Sequence, residues 1–466
     1  MKNFTKQTLA ILAIAAFAVT GCKKGNEGSF DRSTGAGGPF TGRADSVITG
    51  NISASRTLSP GKIYKLDGIV FVTGGTLTIK PGTIITTGAA KSYKTSPTAT
   101  TTNSIAGVLV VTKNAMINAV GTASQPITFT SPKAANQRVA GDFGGVVILG
   151  ESTTNRGLTT TQIEGLPSYD ANGVSLGVDI TYGGSNAADD SGKFQYVRIE
   201  YAGYKLATDN EINGLTMGGV GSDTDIDHVQ VSYGADDAFE FFGGTVSPKY
   251  LLALANDDDD FDTDFGYTGN IQYAIGLKDP SSTHSTSSGN PDSNGIESDN
   301  DATGSSTAIR TKPVYSNFTL LGYSSNASTL RAGNRWRRNT DLSITNSIIG
   351  GFNSGAQFES DGTIASVSGF TNNLLHAYLT PSTITLAVSN SLSTAANANS
   401  FLRLGYWTND EETILSNPFY TSATASEYSI DLLLPIDGGS KGAVLNSNIA
   451  QWEGSWISWT PQTRND

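Results

Sequence analysis

The sequence predicts an all-β fold, a right-handed parallel β-helix, from three observations. Gly accounts for 53 of the 466 residues and charged residues for only 15%, a composition typical of short strands and tight turns. Short segments of alternating polarity recur between turn residues, and no helical periodicity persists. Similar segments repeat at offsets of 22 and 32 residues, which indicates a solenoid, and parallel crossovers are usually right-handed.

The N-terminus predicts a lipoprotein signal peptide over residues 1–21. A basic start precedes an apolar stretch at 9–19, which is too short for a membrane-spanning helix. Small residues followed by Cys22 resemble the lipobox of bacterial lipoproteins, in which the cysteine becomes lipidated, and Cys22 is the only cysteine of the chain. We therefore expect acylated Cys22 to attach the protein to a lipid bilayer. Residues 22–45 are expected to form a flexible tether.

Residues 46–434 carry the repeat and are predicted to form the coils. Three stretches rich in Ser, Thr, Gly and Asn interrupt it, at 91–106, 153–192 and 279–293. We interpret them as loops inserted between coils, a usual location for function.

Residues 435–466 break the repeat and contain Trp452, Trp456 and Trp459, three of the five Trp residues. An open solenoid end needs a cover, so this stretch is predicted to be a Trp-rich C-terminal cap. An aromatic platform for sugars is the functional alternative.

Equivalent residues of successive coils stack about 4.8 Å apart, which sorts the side chains into columns. One inward column is predicted to contain Leu215, Phe239, Phe261, Ile296, Leu330, Phe358 and Leu402. The residue after each points outward, which gives a column of Thr216, Glu240, Asp262, Glu297, Arg331, Glu359 and Arg403.

The outward column and its neighbours concentrate carboxylates in one place, which we call the acidic wall. It contains Asp236, Asp237, Glu240, Asp258, Asp259, Asp260, Asp262, Asp264, Glu297 and Asp299. Two like charges 4.8 Å apart repel by about 3.5 kcal/mol at an effective dielectric of 20, so the wall needs compensation. Raised carboxyl pKa values would supply it, as would ion pairs with Arg331, Arg335, Arg337 and Arg338.

A hard cation such as Ca²⁺ is the third form of compensation, because it binds carboxylate oxygens. The predicted ligands are Glu240, Asp260, Asp262, Asp264, Glu297 and Asp299. A solvated acidic face without an ion is the structural alternative. The net charge of 30 − 42 = −12 argues against a nucleic-acid partner, which needs a basic face.

Several segments resemble a family of β-helix lipoproteins from Bacteroidetes-type bacteria. They are residues 75–83, 121–130, 234–240, 256–266 and 294–301. The resemblance covers most of residues 46–460 and implies an outer-membrane protein at the cell surface, with the periplasmic face as the alternative. Such bacteria often pair surface lipoproteins with TonB-dependent transporters for glycan uptake. By analogy, the partner is a polysaccharide or an outer-membrane protein.

The predicted fold is also similar to that of pectin-degrading enzymes, but their catalytic residues do not transfer. A polygalacturonase-like site would need a Gly-His-Gly segment and a pectate-lyase-like site an Arg-x-Pro-x-x-Arg segment, and neither occurs here.

We therefore expect a non-enzymatic binding or scaffold lipoprotein for an extended glycan or a membrane-protein partner. A carbohydrate-active lyase or hydrolase is one alternative, with Glu240, Asp262 and Glu297 as acid, base or metal ligands and Arg331 as charge stabiliser. Adjacent coils supply the carboxyl separation that glycoside hydrolysis needs. A purely structural subunit of an outer-membrane complex is the other alternative.

Overall fold

The structure is a parallel β-helix, described from a computed structural model. The described residues are 44–156, 161–207, 210–306, 308–323, 327–402, 404, 430–435 and 439–464. The signal peptide, Cys22 and Arg403 lie outside these ranges, so the lipid anchor stays a prediction. Within the described ranges, no helix combines the length and the apolar character needed to cross a bilayer.

Short strands separated by turns account for most of the first half of the chain. In chain order β1 to β16 are Ala44–Ile48, Arg56–Leu58, Lys62–Leu66, Ile69–Val72, Gly75–Ile79, Ile84–Thr87, Lys91–Lys94, Asn103–Ile105, Val108–Val111, Ala115–Val120, Ile127–Phe129, Gly145–Leu149, Tyr169–Asp170, Gly192–Glu200, Tyr204–Ala207 and Asn210–Ile212.

The second half continues the same pattern and adds a few short helices. Strands β17 to β32 are Leu215–Gly218, Asp225–Ser232, Phe239–Phe242, Lys249–Leu254, Phe261–Asp264, Asn270–Leu277, Thr286–Ser287, Asn290–Pro291, Ile296–Ser298, Val314–Leu321, Ala332–Trp336, Ser343–Thr345, Ile348–Phe358, Phe370–Thr371, Leu374–Ser382 and Ser391–Ser393. The α-helices are α1, Asp361–Ala365, and α2, Asn399–Leu402, and the 3₁₀ helices are Val367–Gly369, Ile430–Leu433, Ile449–Gln451 and Pro461–Thr463.

Parallel pairing arranges the coil strands in three faces. Face A contains β2, β5, β10, β28, β30 and the first halves of β14, β18, β20, β22 and β26. Face B contains the second halves of those five strands together with β1, β3, β6, β11, β31, β32 and the start of β29. Face C contains β4, β9, β12, β17, β19, β21, β25, β27 and the end of β29.

The corner between faces A and B is built from non-glycine residues in the left-handed region. Tyr196, His228, Tyr250 and Tyr273 occupy it on successive coils, with φ between +50° and +58°. Their rings stack at centroid distances of 4.3, 4.7 and 5.2 Å. This conformation is uncommon for such residues, and stacking worth about 0.5–1.5 kcal/mol per pair helps to offset its strain. We call these four residues the aromatic ladder.

The inserted stretches leave the coils and form small antiparallel hairpins. Strands β7, β8 and β13 pair with one another, as do β23 and β24. The second insertion covers the outer side of face C, where Ile163 and Tyr182 pack in one apolar cluster with Phe242 and Phe265. The predicted loops are therefore present, and one of them shields part of face C.

The Trp-rich segment lies along the side of the coils and not over an end of the solenoid. We call residues 439–464 the C-terminal strap. At one end Ala443 N donates to Thr319 Oγ1 at 2.9 Å, and at the other Trp456 N donates to Ala123 O at 3.1 Å. The strap thus crosses from late coils back to early ones, which differs from the predicted position of a cap.

The aromatic ladder explains where the strap lies. Trp452 and Trp456 meet Tyr250 and His228 edge-on, at 5.5 and 5.1 Å. These two Trp side chains are 1% and 0% exposed, so neither is available as a platform for a sugar. Trp459 is half-buried.

Candidate functional site

The outward column of face C places the stacked acidic residues as the repeat predicts, up to Glu297. Thr216 pairs with Glu240, Glu240 with Asp262, and Asp262 with Glu297. The inward residues Leu215, Phe239, Phe261 and Ile296 also follow the predicted register.

The column departs from the prediction on the next coil. Glu297 pairs with Arg335 and not with Arg331, and Arg335 pairs with Gln357 and not with Glu359. Leu330 and Phe358 likewise leave the predicted inward column, where Asn334 and Ala356 lie instead, and Leu402 belongs to α2. The reason is the long connection between β25 and β27, which shifts the alignment by four residues.

Arginine side chains neutralise the end of the acidic wall that contains Glu297 and Asp299. Arg335 Nη1 lies 2.8 Å from Glu297 Oε1, and Arg337 also pairs with Glu297. Arg337 Nε and Arg338 Nη1 each lie 2.7 Å from Asp299. Glu297 and Asp299, two of the six predicted metal ligands, are therefore held in ion pairs. Ion pairing with arginine is one of the three forms of compensation that the sequence analysis considered.

Arg331, the predicted charge stabiliser, faces other partners. Its guanidinium lies 2.7 Å from Asp292 and 3.0 Å from Glu359, and its Nε donates to Gln357 at 3.0 Å. The structure does not bring Arg331 together with Glu240 and Asp262.

Asp260 points into the molecule and not outward beside Asp262. Its carboxylate lies 3.2 Å from Lys278 Nζ, and both side chains are fully buried. A Cβ on Gly276 would lie 2.3 Å from Asp260 Oδ2, so the glycine makes room for the carboxylate. Asp260 precedes β21, and the strict alternation that would turn it outward does not extend into the turn. Burial raises its pKa to about 6, although Lys278 opposes the rise.

Two groups of three carboxylates remain close together in the acidic wall. The ligand oxygens of Asp237, Glu240 and Asp262 all lie within 4.8 Å of one another, and those of Asp236, Asp237 and Asp258 do so too. Asp237 belongs to both groups. Asp264 belongs to neither group, and its carboxylate accepts the Phe265 backbone N–H at 2.6 Å.

Asp237 was absent from the predicted ligand set, although the sequence contained a signal for it. Asp237 and Asp259 occupy the same turn position on successive coils, and Asp259 N donates to Asp237 Oδ1 at 2.8 Å. The turn between faces B and C brings this carboxylate towards β19 and β21, which strand alternation alone does not predict.

The electrostatics of Asp237, Glu240 and Asp262 favour neutralisation. Burial raises the pKa of all three well above the usual range, and neighbouring carboxylates raise it further. The main neighbours are Asp259 for Asp237, Glu164 for Glu240 and Glu297 for Asp262. Protons or a cation would relieve this repulsion.

The hydrogen bonding of the carboxylate oxygens of Asp237, Glu240 and Asp262 is incomplete. Asn213 Nδ2 donates to Glu240, whereas Asp262 Oδ1 is buried and has no hydrogen-bond partner among the described residues. Three carboxylates offer up to six oxygens, and Ca²⁺ takes about six to eight oxygen ligands. The donor chemistry of Asp237, Glu240 and Asp262 therefore fits a hard divalent cation.

Comparison with known proteins identifies the family of the chain. A family model described as a pectate-lyase-like β-helix domain matches residues 50–416. No curated protein and no solved structure matches the chain. The matched range includes every carboxylate of the acidic wall.

Proposed function

We propose that this chain, which belongs to the pectate-lyase-like β-helix domain family, binds an extended glycan without cleaving it. The fold of the family is consistent with a carbohydrate-related role. In our proposal Asp237, Glu240 and Asp262 hold a Ca²⁺ ion that bridges the acidic wall to the glycan. The protein acts from the outer membrane, attached through lipidated Cys22.

The clustering of Asp237, Glu240 and Asp262 carries this proposal. Their oxygens lie within 4.8 Å of one another, and within the described ranges none of the three forms an ion pair with a basic side chain closer than 4 Å. The contrast with Glu297 and Asp299, which bind Arg335, Arg337 and Arg338, shows that one end of the wall is compensated from within the chain. At the other end of the wall, a bound cation would neutralise the negative charge of Asp237, Glu240 and Asp262.

Binding is favoured over cleavage because Arg331, the predicted charge stabiliser, lies apart from the stacked carboxylates Glu240 and Asp262. Glu297 and Arg331 are both held in ion pairs with other residues. An outer-membrane protein partner remains the alternative occupant of the same surface.

The experiment measures retention of the full-length chain on immobilised neutral and acidic polysaccharides, with Ca²⁺ or with chelator. We expect retention in Ca²⁺ that chelator abolishes. The combined variant Asp237→Asn, Glu240→Gln, Asp262→Asn should lose it, because the ligand charges are removed without a change of shape. Asp225→Asn, at an exposed ion pair, is the matched control and should retain binding. Retention that neither chelator nor the combined variant changes would disprove the cation role.

A carbohydrate-active enzyme is the second candidate, and one observation favours it. Glu240 and Asp262 lie on adjacent strands with pKa values raised by burial and by nearby carboxylates, which suits a general acid. New reducing ends or unsaturated ends in the same assay would identify the activity, and Glu240→Gln should then abolish it.

A further inference from the structure

The third insertion begins with the only Asp–Pro peptide bond of the sequence, between Asp279 and Pro280. The amide of this bond is tertiary, because its nitrogen belongs to the proline ring and carries no hydrogen. Such a nitrogen accepts a proton more readily than an ordinary amide nitrogen, and it therefore leaves more easily when the bond breaks. The carboxyl group of an Asp can also attack the carbonyl carbon of its own residue, since the attack closes a five-membered ring.

Three hydrogen-bond donors converge on the carbonyl oxygen of this bond. The Ser282 backbone N–H and His284 Nε2 each donate to Asp279 O at 3.0 Å, and Tyr323 Oη donates to it at 3.4 Å. Burial lowers the pKa of His284 to about 4, so the imidazole is uncharged at neutral pH. Its Nε2 carries the proton, because a carbonyl oxygen only accepts. Donors in this arrangement stabilise the negative charge that develops on a carbonyl oxygen when its carbon is attacked.

The Asp279 side chain offers one oxygen for such an attack. Asp279 is 1% exposed, and its Oδ1 accepts from Ser281 N at 2.8 Å and from Ser281 Oγ at 2.7 Å. Its Oδ2 is buried and has no hydrogen-bond partner among the described residues. Burial raises the pKa of this carboxyl group, which keeps more of it protonated at neutral pH. The attacking oxygen and the carbonyl belong to one residue, so no second molecule has to be bound and oriented.

We propose that the chain cleaves its own Asp279–Pro280 bond. Oδ2 of the protonated Asp279 carboxyl group adds to the Asp279 carbonyl carbon, its proton passes to the Pro280 nitrogen, and the C–N bond breaks. The products are a cyclic anhydride at Asp279 and a chain that begins with the free amine of Pro280. One water molecule then opens the anhydride to two carboxyl groups, so the net change is the hydrolysis of one peptide bond.

Solvent lies close to this bond, although Asp279 itself is buried. Pro280 and Ser281 are exposed, and Ser281 and Thr283 line a cavity of about 490 Å³. Water therefore reaches the anhydride once the new chain end at Pro280 has moved away.

Cleavage would release one end of the third insertion, which packs against the turn that contains Asp257 and Asp258. Thr283 N donates to Asp257 Oδ1 at 2.9 Å, and Ser285 Oγ donates to Asp258. Asp258 belongs to the second group of three carboxylates, so cleavage would uncover part of the acidic wall. The proposal rests on the surroundings of the Asp279–Pro280 bond and does not depend on the proposed glycan binding.

Incubation of the purified full-length chain at neutral pH, with protease inhibitors, tests the proposal. We expect two fragments to accumulate, with masses that sum to the mass of the intact chain plus one water. One fragment should end at Asp279 and the other should begin at Pro280, as terminal sequencing and mass spectrometry report. The same chain held unfolded in urea should cleave at least about tenfold more slowly, because the donors to the carbonyl oxygen are then dispersed.

Variants separate the roles of the groups. Asp279→Ala removes the attacking carboxyl group and should abolish cleavage. Pro280→Ala changes the tertiary amide to a secondary one, and His284→Leu removes a donor to the carbonyl oxygen, so each should slow cleavage about tenfold or more. Tyr323→Phe removes a single hydroxyl group from the longer hydrogen bond, and we expect a smaller decrease in rate that still tests the donors if His284→Leu does not fold.

His376→Leu is the matched control. His376 Nε2 also donates to a backbone carbonyl, that of Ala395 at 2.8 Å, but the next residue is Ala396 and not proline. The cleavage rate should stay within about twofold of the original. Absence of fragments from the folded chain would overturn the proposal, as would undiminished cleavage in Asp279→Ala. An equal rate in the urea-unfolded chain would show only the ordinary lability of an Asp–Pro bond and would overturn it too.

Discussion

Asp260 and Asp262 are separated by one residue, yet they meet opposite environments. Asp262 lies within β21 and faces outward, where other carboxylates surround it. Asp260 lies in the turn before the strand and enters the interior beside Lys278. The alternation of a strand predicts side-chain direction only between the ends of that strand. The prediction for Asp260 failed for this reason, since the boundary of β21 is not evident in a run of acidic residues.

The variant Lys278→Met tests how much the buried ion pair between Asp260 and Lys278 contributes to the free energy of unfolding. It leaves Asp260 without its cation, so the free energy of unfolding should fall by about 3–5 kcal/mol at neutral pH. The loss should shrink as the pH falls towards 6, because Lys278 opposes the rise in the pKa of Asp260 and its removal lets the buried carboxyl take up a proton at a higher pH. Urea denaturation at several pH values measures both effects. Lys193→Met, at an exposed pair with Asp225, should change stability by less than about 1 kcal/mol. Equal losses in the two variants would show that burial of the pair adds nothing.

The outward side chains of face C change from apolar to acidic and then to basic along the solenoid axis. Its outward column runs from apolar residues beneath the second insertion, through the carboxylates Glu240 and Asp262, to Arg335. The repeat offsets were sufficient to predict the carboxylate part of this column. The repeat offsets could not predict the column beyond Glu297, because the long connection between β25 and β27 does not follow the length of the repeat. The contribution of Asp237 and the arginine pairs depends on turns and on side-chain reach, which periodicity does not describe.

The acidic wall makes stability depend on pH in a direction opposite to that of most carboxylates. The folded-state pKa values of Asp237, Glu240 and Asp262 are raised, so the folded chain binds protons more tightly than the unfolded chain. Stability is therefore lost as the pH rises through these raised values. In chelator the melting temperature should fall as the pH rises above the usual carboxyl range, and Ca²⁺ should reduce the fall.

Differential scanning fluorimetry across pH, with and without Ca²⁺, measures this dependence. The variant Asp237→Asn, Glu240→Gln, Asp262→Asn should show a smaller fall in chelator and no response to Ca²⁺. A Ca²⁺ response that persists in this variant would assign the ion to another site.

For the whole molecule, the C-terminal strap connects coils that are distant along the axis. Solenoids are stabilised by contacts between neighbouring repeats and lose cooperativity when arrays are long. The strap adds contacts that skip repeats, from Thr319 to Ala123, and ends at Arg464, whose two bonds to the buried Glu200 are both 2.8 Å. The sequence predicted that the Trp-rich segment covers an end of the solenoid, whereas it packs along the side of the coils. The path of the segment was not predictable from the sequence. It packs against the aromatic ladder, whose four residues come together only when four coils stack.

Removal of residues 439–466 tests this connection. The shortened chain should unfold at a lower urea concentration and over a broader range, with a smaller dependence of the free energy on urea, because early and late coils then separate independently. Equilibrium unfolding followed by circular dichroism and by Trp fluorescence reports this. Glu453→Gln, at an exposed position of the strap, is the control and should leave the transition unchanged. An equally sharp transition in the shortened chain would show that neighbouring coils alone provide the cooperativity.

The strap also has a consequence for biosynthesis. It is synthesised after the coils that it covers, and it contacts Tyr250 and His228, which precede it by about two hundred residues in the sequence. A chain that terminates early would display the aromatic ladder to chaperones and proteases, whereas a finished chain hides it. The ladder therefore marks incomplete molecules, and quality control acting on exposed aromatic surface would remove them before they reach their destination.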